Sequence, residues 1–235
     1  MSSPAKVSSV QAINMAIAAA MEADPKVLCL GEDVADKEGG GVVGMTRGLS
    51  SRFGTDRVKS TPITEQAIMG AAIGAAMCGY KPVAEIMMMN FTTVAMDMIH
   101  NHAAKLRFMS GGQSQVPLVI RTLTGAGWQT AGQHSDHLEA WFAHSAGIKG
   151  VMPSNPQDYY GLTLAAIQDP DPVIIVENGR TLFGQGEVDE GQGAIPLGKA
   201  SVAVSGSDIT IISYSGTMLT VMGALAALGE AGVSA

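Results

Sequence analysis

The sequence predicts an α/β protein in which a parallel β-sheet is flanked by helices. The order of the predicted elements supports this fold class, and the composition adds an expectation about the surface. Short apolar segments of strand length alternate along the chain with longer segments of helical periodicity, and that alternation is typical of a parallel sheet covered on both faces. In addition, hydrophobic residues make up 46% of the chain and charged residues only 15%, so we expect much of the exterior to lie against other subunits.

Each element is predicted from its local pattern, in chain order. Apolar periodicity predicts a helix over residues 10–23, with Ser8 or Ser9 as its N-cap. A short apolar run predicts a buried strand at 27–30, and a helix begins at Glu65. The same criteria predict strands at 82–87, 116–121, 150–152 and 172–177, and helices at 91–109, 138–144 and 156–168.

The last part of the chain predicts a second structural unit. Residues 178–199 are rich in Gly, Glu and Gln and are typical of a linker, and two strands at 201–204 and 209–214 and a helix at 218–230 follow them. Such a ββα unit cannot cover its own sheet, so we interpret it as the truncated start of a further α/β domain. The predicted division is a first domain at 1–180, a linker at 181–199 and the start of the second domain at 200–235.

Charge and composition exclude several classes of protein. The net charge of −7 argues against a nucleic-acid partner and against a basic membrane-binding patch. No uncharged run approaches the roughly 18 residues that a membrane-spanning helix needs. Cys29 and Cys78 both lie in apolar runs and are expected to be reduced core residues of a soluble, cytoplasmic protein.

The most informative stretch is residues 61–85, where Glu65 stands at the head of a helix made almost wholly of small and apolar residues. Enzymes use a carboxylate in such a position to hold or move a proton. The alternative is an ordinary carboxylate that the helix dipole favours. Small residues recur at i, i+4 spacing and leave a helix face that a second backbone can approach closely, at Gly70, Ala71, Gly74 and Ala75.

A second cluster of polar residues lies at 134–137, where two histidines flank a serine and an aspartate. Three interpretations remain open for His134: a metal ligand, a proton-transfer or substrate-contact residue, and a surface histidine with a structural role. A glycine-rich loop precedes the cluster, and this position favours an active-site loop over a core location.

Taken together, several segments resemble the beta subunit of the thiamine-diphosphate-dependent component of 2-oxo acid dehydrogenase complexes. The resemblance runs from about residue 10 to residue 235. The segments that carry it are LGEDV (30–34), TRGL (46–49), TPITE (61–65), GAAIGAA (70–76), AAKLRFMSGGQ (103–113), PLVIR (117–121), AGQHS (131–135), EAWFAH (139–144), DPVIIVEN (171–178) and IPLGKA (195–200).

The resemblance implies a thiamine-diphosphate-binding fold of the pyrimidine type, followed by a transketolase C-terminal-like domain. It implies that Glu65 hydrogen-bonds a ring nitrogen of the cofactor's aminopyrimidine, while Phe91 packs on that ring and Met87 forms an apolar wall. It also implies that His134 handles the acyl group and the lipoyl acceptor, with Glu32 near the site. An alpha chain supplies the diphosphate and magnesium site, which agrees with the lack of a GDG motif followed by paired Asn in this sequence.

The resemblance further implies a structural potassium ion held largely by backbone carbonyls, at Leu118, Ala166, Ile167, Asp169 and Asp171. The implied assembly is an alpha2beta2 heterotetramer that acylates the lipoyl domain of an acyltransferase, with pyruvate, a branched-chain 2-oxo acid or acetoin as substrate.

The chain departs from the family pattern at three residues before His134, namely Trp128, Gln129 and Thr130, and also at His137. Two other functions are kept as alternatives. One is a non-catalytic scaffold subunit, which intact Glu65, Phe91 and His134 argue against. The other is a transferase of the transketolase type, which usually carries both half-sites in one polypeptide.

Overall fold

The computed structural model describes residues 5–235 and is built around a six-stranded, wholly parallel β-sheet. This architecture confirms the predicted fold class. In chain order the strands are β1 (Ala5–Ser8), β2 (Val27–Glu32), β3 (Val58–Thr61), β4 (Lys81–Met88), β5 (Val119–Thr124), β6 (Lys149–Val151), β7 (Val173–Asn178) and β8 (Gln185–Val188). The main sheet has the order β3-β2-β4-β5-β7-β6, while β1 and β8 form a separate antiparallel pair.

The α-helices are α1 (Ser9–Ala23), α2 (Leu49–Phe53), α3 (Glu65–Met77), α4 (Leu106–Met109), α5 (Glu139–His144), α6 (Pro156–Gln168), α7 (Gly179–Leu182) and α8 (Thr217–Glu230). Of these, α1 and α6 pack on one face of the main sheet and α3 packs on the other. Short 3₁₀ turns occur at Asp36–Glu38, Met89–Thr93, Gly132–His134 and Glu190–Gln192, and a π-helix occurs at Asp97–Ala103.

Two apolar cores separate the helices from the sheet. On one face, Ile17 of α1 and Leu164 of α6 join the cluster that contains Val119 of β5. On the other face, Ile68 of α3 and Ile99 of the π-helix join the second cluster. Burial on both faces explains why the central strands are nearly continuous apolar runs.

The amino end of α1 confirms one of the two predicted caps. The Ser8 hydroxyl accepts a hydrogen bond from the Gln11 backbone N–H (3.2 Å), and the Gln11 side chain accepts one from the Ser8 N–H (2.8 Å). This reciprocal pair is a capping box, which satisfies two donors that the helix leaves free.

The prediction of one continuous helix over 91–109 is wrong. The stretch is divided into a 3₁₀ turn, a π-helix and the short α4. In the 3₁₀ turn, the Thr92 hydroxyl donates to Met89 O (2.6 Å) and the Thr93 hydroxyl donates to Asn90 O (2.7 Å). Such side-chain bonds to a carbonyl three residues earlier compete with regular helical bonds.

Three other expectations also need correction. The strands predicted at 201–204 and 209–214 are not formed, because those residues lack the ladder pairing that defines a strand. The segment predicted as a linker at 181–199 contains β8, which pairs with β1. Cys78 is exposed at the end of α3, whereas Cys29 is buried as expected. Residues 1–4 of the predicted first domain lie outside the described residues.

Candidate functional site

The carboxyl ends of four neighbouring strands bring the predicted site residues to one edge of the sheet. Glu65 begins α3 just after β3, Glu32 is the last residue of β2, and Met87 lies near the end of β4. Phe91 follows β4, and His134 lies in the loop after β5. Since β3, β2, β4 and β5 are adjacent and neighbouring strands lie about 4.8 Å apart, these strand ends span about 15 Å. Ligands of parallel α/β sheets bind at this edge.

Glu65 occupies the first position of α3 and is 8% exposed. Thr64 precedes it with no side-chain cap. The carboxylate of Glu65 therefore lies at the positive end of the helix, where backbone N–H groups have no helical partner. The structure places this carboxylate where the sequence predicted it, at the mouth of a helix packed into an apolar core.

Glu32 is a second buried carboxylate beside Glu65. Burial raises its pKa, and the negative charges of Glu65, Asp33 and Glu85 raise it further. Its Oε1 atom is buried and has no hydrogen-bond partner within residues 5–235. A buried acceptor of this kind calls for a donor from outside the described chain. The pair Glu32 and Glu65 therefore fits a ligand that carries ring nitrogens and amino protons, such as an aminopyrimidine.

Phe91 and His134 are in direct contact, although 43 positions separate them. Their ring centroids lie 5.3 Å apart with an angle of 81° between the planes, which is an edge-to-face arrangement. Both side chains are half-buried. Next to them, the Asn90 amide donates to Asp136 Oδ2 (2.7 Å) and so joins the segment after β4 to the segment after β5.

The metal interpretation of residues 134–137 finds no support. Within residues 5–235, no group of three or more His, Cys, Asp or Glu side chains is arranged to hold a metal ion. Instead, His137 Nδ1 lies 3.5 Å from Glu139 Oε2, and Asp136 accepts from Asn90. The His134 side chain contacts the ring of Phe91, so the proton-transfer or substrate-contact interpretation and the structural interpretation both stay open.

A buried ion cluster on the central strands, next to the site edge, was not predicted from the sequence. Arg121 is 1% exposed, and its guanidinium donates to Glu85 Oε2 (2.9 Å) and Glu177 Oε1 (2.7 Å). It also contacts the Met45 sulfur. The signal in the sequence was a charged residue in the middle of three apolar strands, at Glu85, Arg121 and Glu177.

In the ion cluster, two carboxylates are paired with one guanidinium. Burial raises the pKa of Glu177 to about 7 and also raises that of Glu85, although the attraction of Arg121 opposes both shifts. Burial would lower the pKa of Arg121, but Glu177 and Glu85 together hold it above its ordinary value. A Cβ on Gly41 would lie 3.1 Å from Glu85 Oε1, so the glycine-rich loop closes over this carboxylate.

The five residues expected around a potassium ion lie just before β5, at the end of α6 and just before β7, opposite the site edge. Leu118 O accepts from Val173 N (2.9 Å), and Ala166 O accepts from Asp169 N (3.3 Å). Lys149 Nζ lies 2.7 Å from Asp169 Oδ1, and Asp171 is paired with both Lys149 and Arg107. Ile167, near the end of α6, is buried.

Both carboxylates of this potassium region are paired with the cations Lys149 and Arg107, and the carbonyl oxygens of Leu118 and Ala166 already accept backbone hydrogen bonds. A potassium ion here would be held by backbone carbonyl oxygens and not by these side chains.

No helix of residues 5–235 has the length and apolar character needed to cross a membrane.

Comparison with known proteins gives consistent matches. The model of the transketolase pyrimidine-binding domain family matches residues 5–183. The acetoin:2,6-dichlorophenolindophenol oxidoreductase subunit beta of Cupriavidus necator is 45% identical, over 98% of this chain and 70% of its own length. The 3-methyl-2-oxobutanoate dehydrogenase subunit beta of Mycobacterium tuberculosis is 41% identical, over 91% of this chain and 61% of its own length.

Two further matches extend this set. The pyruvate dehydrogenase E1 component subunit beta-1 of Arabidopsis thaliana is 41% identical over 95% of this chain and 62% of its own length. A solved split-gene transketolase, described as an inactive beta4 tetramer, superposes with a TM-score of 0.77 at 19% identity and covers 97% of this chain and 68% of its own. At that identity the structural match establishes the fold alone.

Proposed function

Since the chain belongs to the family of transketolase pyrimidine-binding domains and, within it, to the beta subunits of acetoin and 2-oxo acid dehydrogenases, we propose that it forms half of a thiamine-diphosphate site. With an alpha subunit it cleaves acetoin or a 2-oxo acid and transfers the acyl group to the lipoyl domain of an acyltransferase. The observation that carries the proposal is the gathering of Glu65, Glu32, Phe91 and His134 at one sheet edge.

Thiamine diphosphate, when bound, would supply an electron sink for the substrate's carbonyl carbon, at which the bond is cleaved. In our proposal, Glu65 hydrogen-bonds a ring nitrogen of the aminopyrimidine. The helix N-terminus supports its charge, and the buried position of Glu65 excludes water from this bond. Glu32 lies beside Glu65, and its unpartnered oxygen accepts a hydrogen bond from the bound ligand.

Phe91 and Met87 provide the apolar surface of the half-site. Phe91 packs at the junction of both cores, which fixes the position of its ring. A rigid aromatic surface orients a flat heterocycle at low entropic cost. Met87 is half-buried at the end of β4 and lines the same edge.

His134 acts at the acceptor side of the site. Its ring contacts Phe91, and the loop that carries it follows β5 at the site edge. A histidine in this position holds or moves a proton where the lipoyl group enters. We assign to the alpha chain the magnesium and diphosphate contacts, and to Leu118, Ala166, Ile167, Asp169 and Asp171 a structural potassium ion.

Residues 200–235 are proposed to begin a second domain that follows the first domain and its linker. Helix α8 has no buried residue, and Leu219 and Met222 are each 46% exposed. Apolar side chains exposed on one helix are typical of a surface that packs against a further layer. The assembly we propose is an alpha2beta2 heterotetramer in the cytoplasm.

The experiment is co-expression of the chain with an alpha subunit, followed by thiamine-diphosphate-dependent dye reduction with acetoin, pyruvate and branched-chain 2-oxo acids. We expect turnover with one of these substrates. Glu65→Gln should abolish it, and Glu22→Gln should retain it, because Glu22 is exposed and paired only with Arg52. A stable complex with no turnover on any of these substrates would contradict the proposal.

A further inference from the structure

The loop between β5 and His134 is closed at its base by a backbone hydrogen bond and by the side chain of Thr130. The Gly125 N–H donates to His134 O (2.8 Å), which joins the two ends of the loop. The Thr130 hydroxyl lies 3.1 Å from Gly125 O, 3.2 Å from His134 O and 2.9 Å from Ser135 Oγ. Thr130 therefore reaches both ends of the loop from its middle.

The hydrogen-bond partners of Thr130 are held in place by other bonds. Gly125 O also accepts from the Trp128 N–H (2.9 Å), and the Ser135 hydroxyl donates to Ala131 O (2.8 Å). A Cβ on Gly125 would overlap the Thr130 hydroxyl, so the absence of a side chain at Gly125 leaves the space that Thr130 fills. The Thr130 hydroxyl therefore contacts Gly125 O and Ser135 Oγ, whose positions other hydrogen bonds also fix.

The outer part of the loop is held by a second contact. The Trp128 ring stacks on Phe183 with centroids 5.6 Å apart and lies against Gly179, where a Cβ would overlap it. On either side of Thr130, Gln129 and Ala131 have positive φ angles of 59° and 62°. Non-glycine residues adopt such angles only where surrounding contacts over-determine them.

We propose that Thr130 is a positioning residue for His134. Its hydroxyl has one proton to share among Gly125 O, His134 O and Ser135 Oγ, and these contacts hold the main chain of His134 at the base of the loop, while Phe91 contacts the imidazole ring. With both ends of the residue fixed, the imidazole presents its nitrogens in one orientation to an incoming acceptor. This inference deepens the proposed function, because it rests on the role proposed there for His134.

The test compares three variants in the full chain assembled with its alpha subunit. Thr130→Val keeps the shape and removes the hydroxyl, Thr130→Ser keeps the hydroxyl, and His134→Ala removes the imidazole. The first measurement is amide hydrogen exchange of the segment around Gly125 without cofactor. The second is the ratio of lipoyl-domain acylation to dye reduction, because the dye takes electrons without accepting an acyl group.

We expect Thr130→Val to speed amide exchange of this segment by about 3- to 10-fold, as loss of one hydrogen bond predicts. It should lower the acylation-to-dye ratio by about the same factor, and Thr130→Ser should restore both values. Unchanged exchange with an unchanged ratio would overturn the proposal. Equal losses in the two assays would also overturn it, since they indicate a structural role only.

His134→Ala separates this inference from the function on which it rests. If His134→Ala lowers both activities equally, the acceptor role of His134 is wrong. If it lowers the ratio while Thr130→Val does not, only the role of Thr130 is wrong. Should the valine variant fail to assemble, Ser135→Ala removes one partner of Thr130, and an unchanged ratio in that variant would overturn the proposal.

Discussion

The rings of Phe91 and His134 meet edge to face, with centroids 5.3 Å apart, and join the ends of β4 and β5 across the site edge. Aromatic pairs of this kind contribute about 0.5–1.5 kcal/mol beyond their buried area. We expect a double-mutant cycle with Phe91→Leu and His134→Leu to give a coupling energy of this size in urea unfolding. Phe53 is the control, because it contacts Arg52 and Arg57 instead. A coupling no larger than that between Phe53 and His134 would contradict the expectation.

Glu65→Gln should leave the fold intact and remove proton transfer. The amide keeps the shape of the buried side chain but cannot take up a proton, and loss of a general acid–base group typically costs about 10²- to 10⁴-fold in rate. The measurement is deuterium exchange at the cofactor's thiazolium carbon in the assembled complex, with circular dichroism to check the fold. Exchange at the rate of the unmodified protein would rule out the role assigned to Glu65.

Arg121→Met should destabilise the protein strongly, because it leaves Glu85 and Glu177 buried without their cation. Removal of one partner from a buried ion pair typically costs about 3–5 kcal/mol. Arg52→Met is the matched control, since Arg52 forms an exposed pair with Glu22 and such pairs contribute about 0–1 kcal/mol. Urea unfolding of both variants measures the difference. Similar losses of unfolding free energy in the two variants would contradict the expectation that the buried ion cluster stabilises the fold more than the exposed pair does.

The stability of the chain should fall as pH rises from about 5 to about 8 because of Glu177. Burial raises the pKa of this carboxyl from 4.5 to about 7, so the folded state binds its proton more tightly than the unfolded state does. Its contribution is fully present below the unfolded pKa and is lost as pH rises through the folded one. We expect Glu177→Gln to remove on the order of 1–3 kcal/mol of this pH dependence.

The measurement for Glu177 is the free energy of unfolding in urea at a series of pH values. Glu187→Gln serves as the control because Glu187 is exposed on β8. Parallel pH profiles for the unmodified chain and Glu177→Gln would refute the assignment.

Asp36 contributes to the pH dependence of stability in a different pH range. Its hydrogen bonds from Ser51 and the Gly48 N–H lower its pKa to about 2 against the effect of burial, so its contribution is lost only in acid.

Gly179→Ala should displace Trp128 from its contact with α7. A Cβ at residue 179 would overlap the indole ring, and overpacking of this kind costs about 1–3 kcal/mol. In a Trp141→Phe background, Trp128 is the only tryptophan, since the chain has two. We expect its fluorescence to become more accessible to a quencher. Gly223→Ala in α8 is the control, because a Cβ there meets no atom within 4 Å. Equal quenching in both variants would contradict the expected displacement.

The sequence predicted features that depend on local periodicity. The alternation of strands and helices gave the parallel sheet, and the position of Glu65 at a helix start followed from the apolar run behind it. The 3₁₀ turn at Met89–Thr93 was not predicted, because threonine hydroxyl hydrogen bonds there override an apolar pattern that is compatible with a helix. The sequence also placed Cys78 in the core, although Cys78 follows the last turn of α3 and faces outward.

Features that depend on distant residues could not be predicted from one sequence. Arg121, Glu85 and Glu177 come from three strands, and only the register of those strands brings the charges together. Likewise, the closeness of Phe91 to His134 depends on the path of two loops. The function of Thr130 was hidden for the same reason, since its partners Gly125 and His134 become neighbours only when the loop closes.

The antiparallel pair of β1 and β8 has a consequence for the synthesis of this protein. Ala5 pairs with Val188 and Ser8 with Gln185, so the first strand finds its partner only after almost the whole domain has been made. On a ribosome, chains emerge at about 5–20 residues per second, and β1 therefore stays unpaired for many seconds. Val7 therefore lacks its strand partner throughout that interval, and the β1–β8 pair can form only when residues 185–188 have left the exit tunnel.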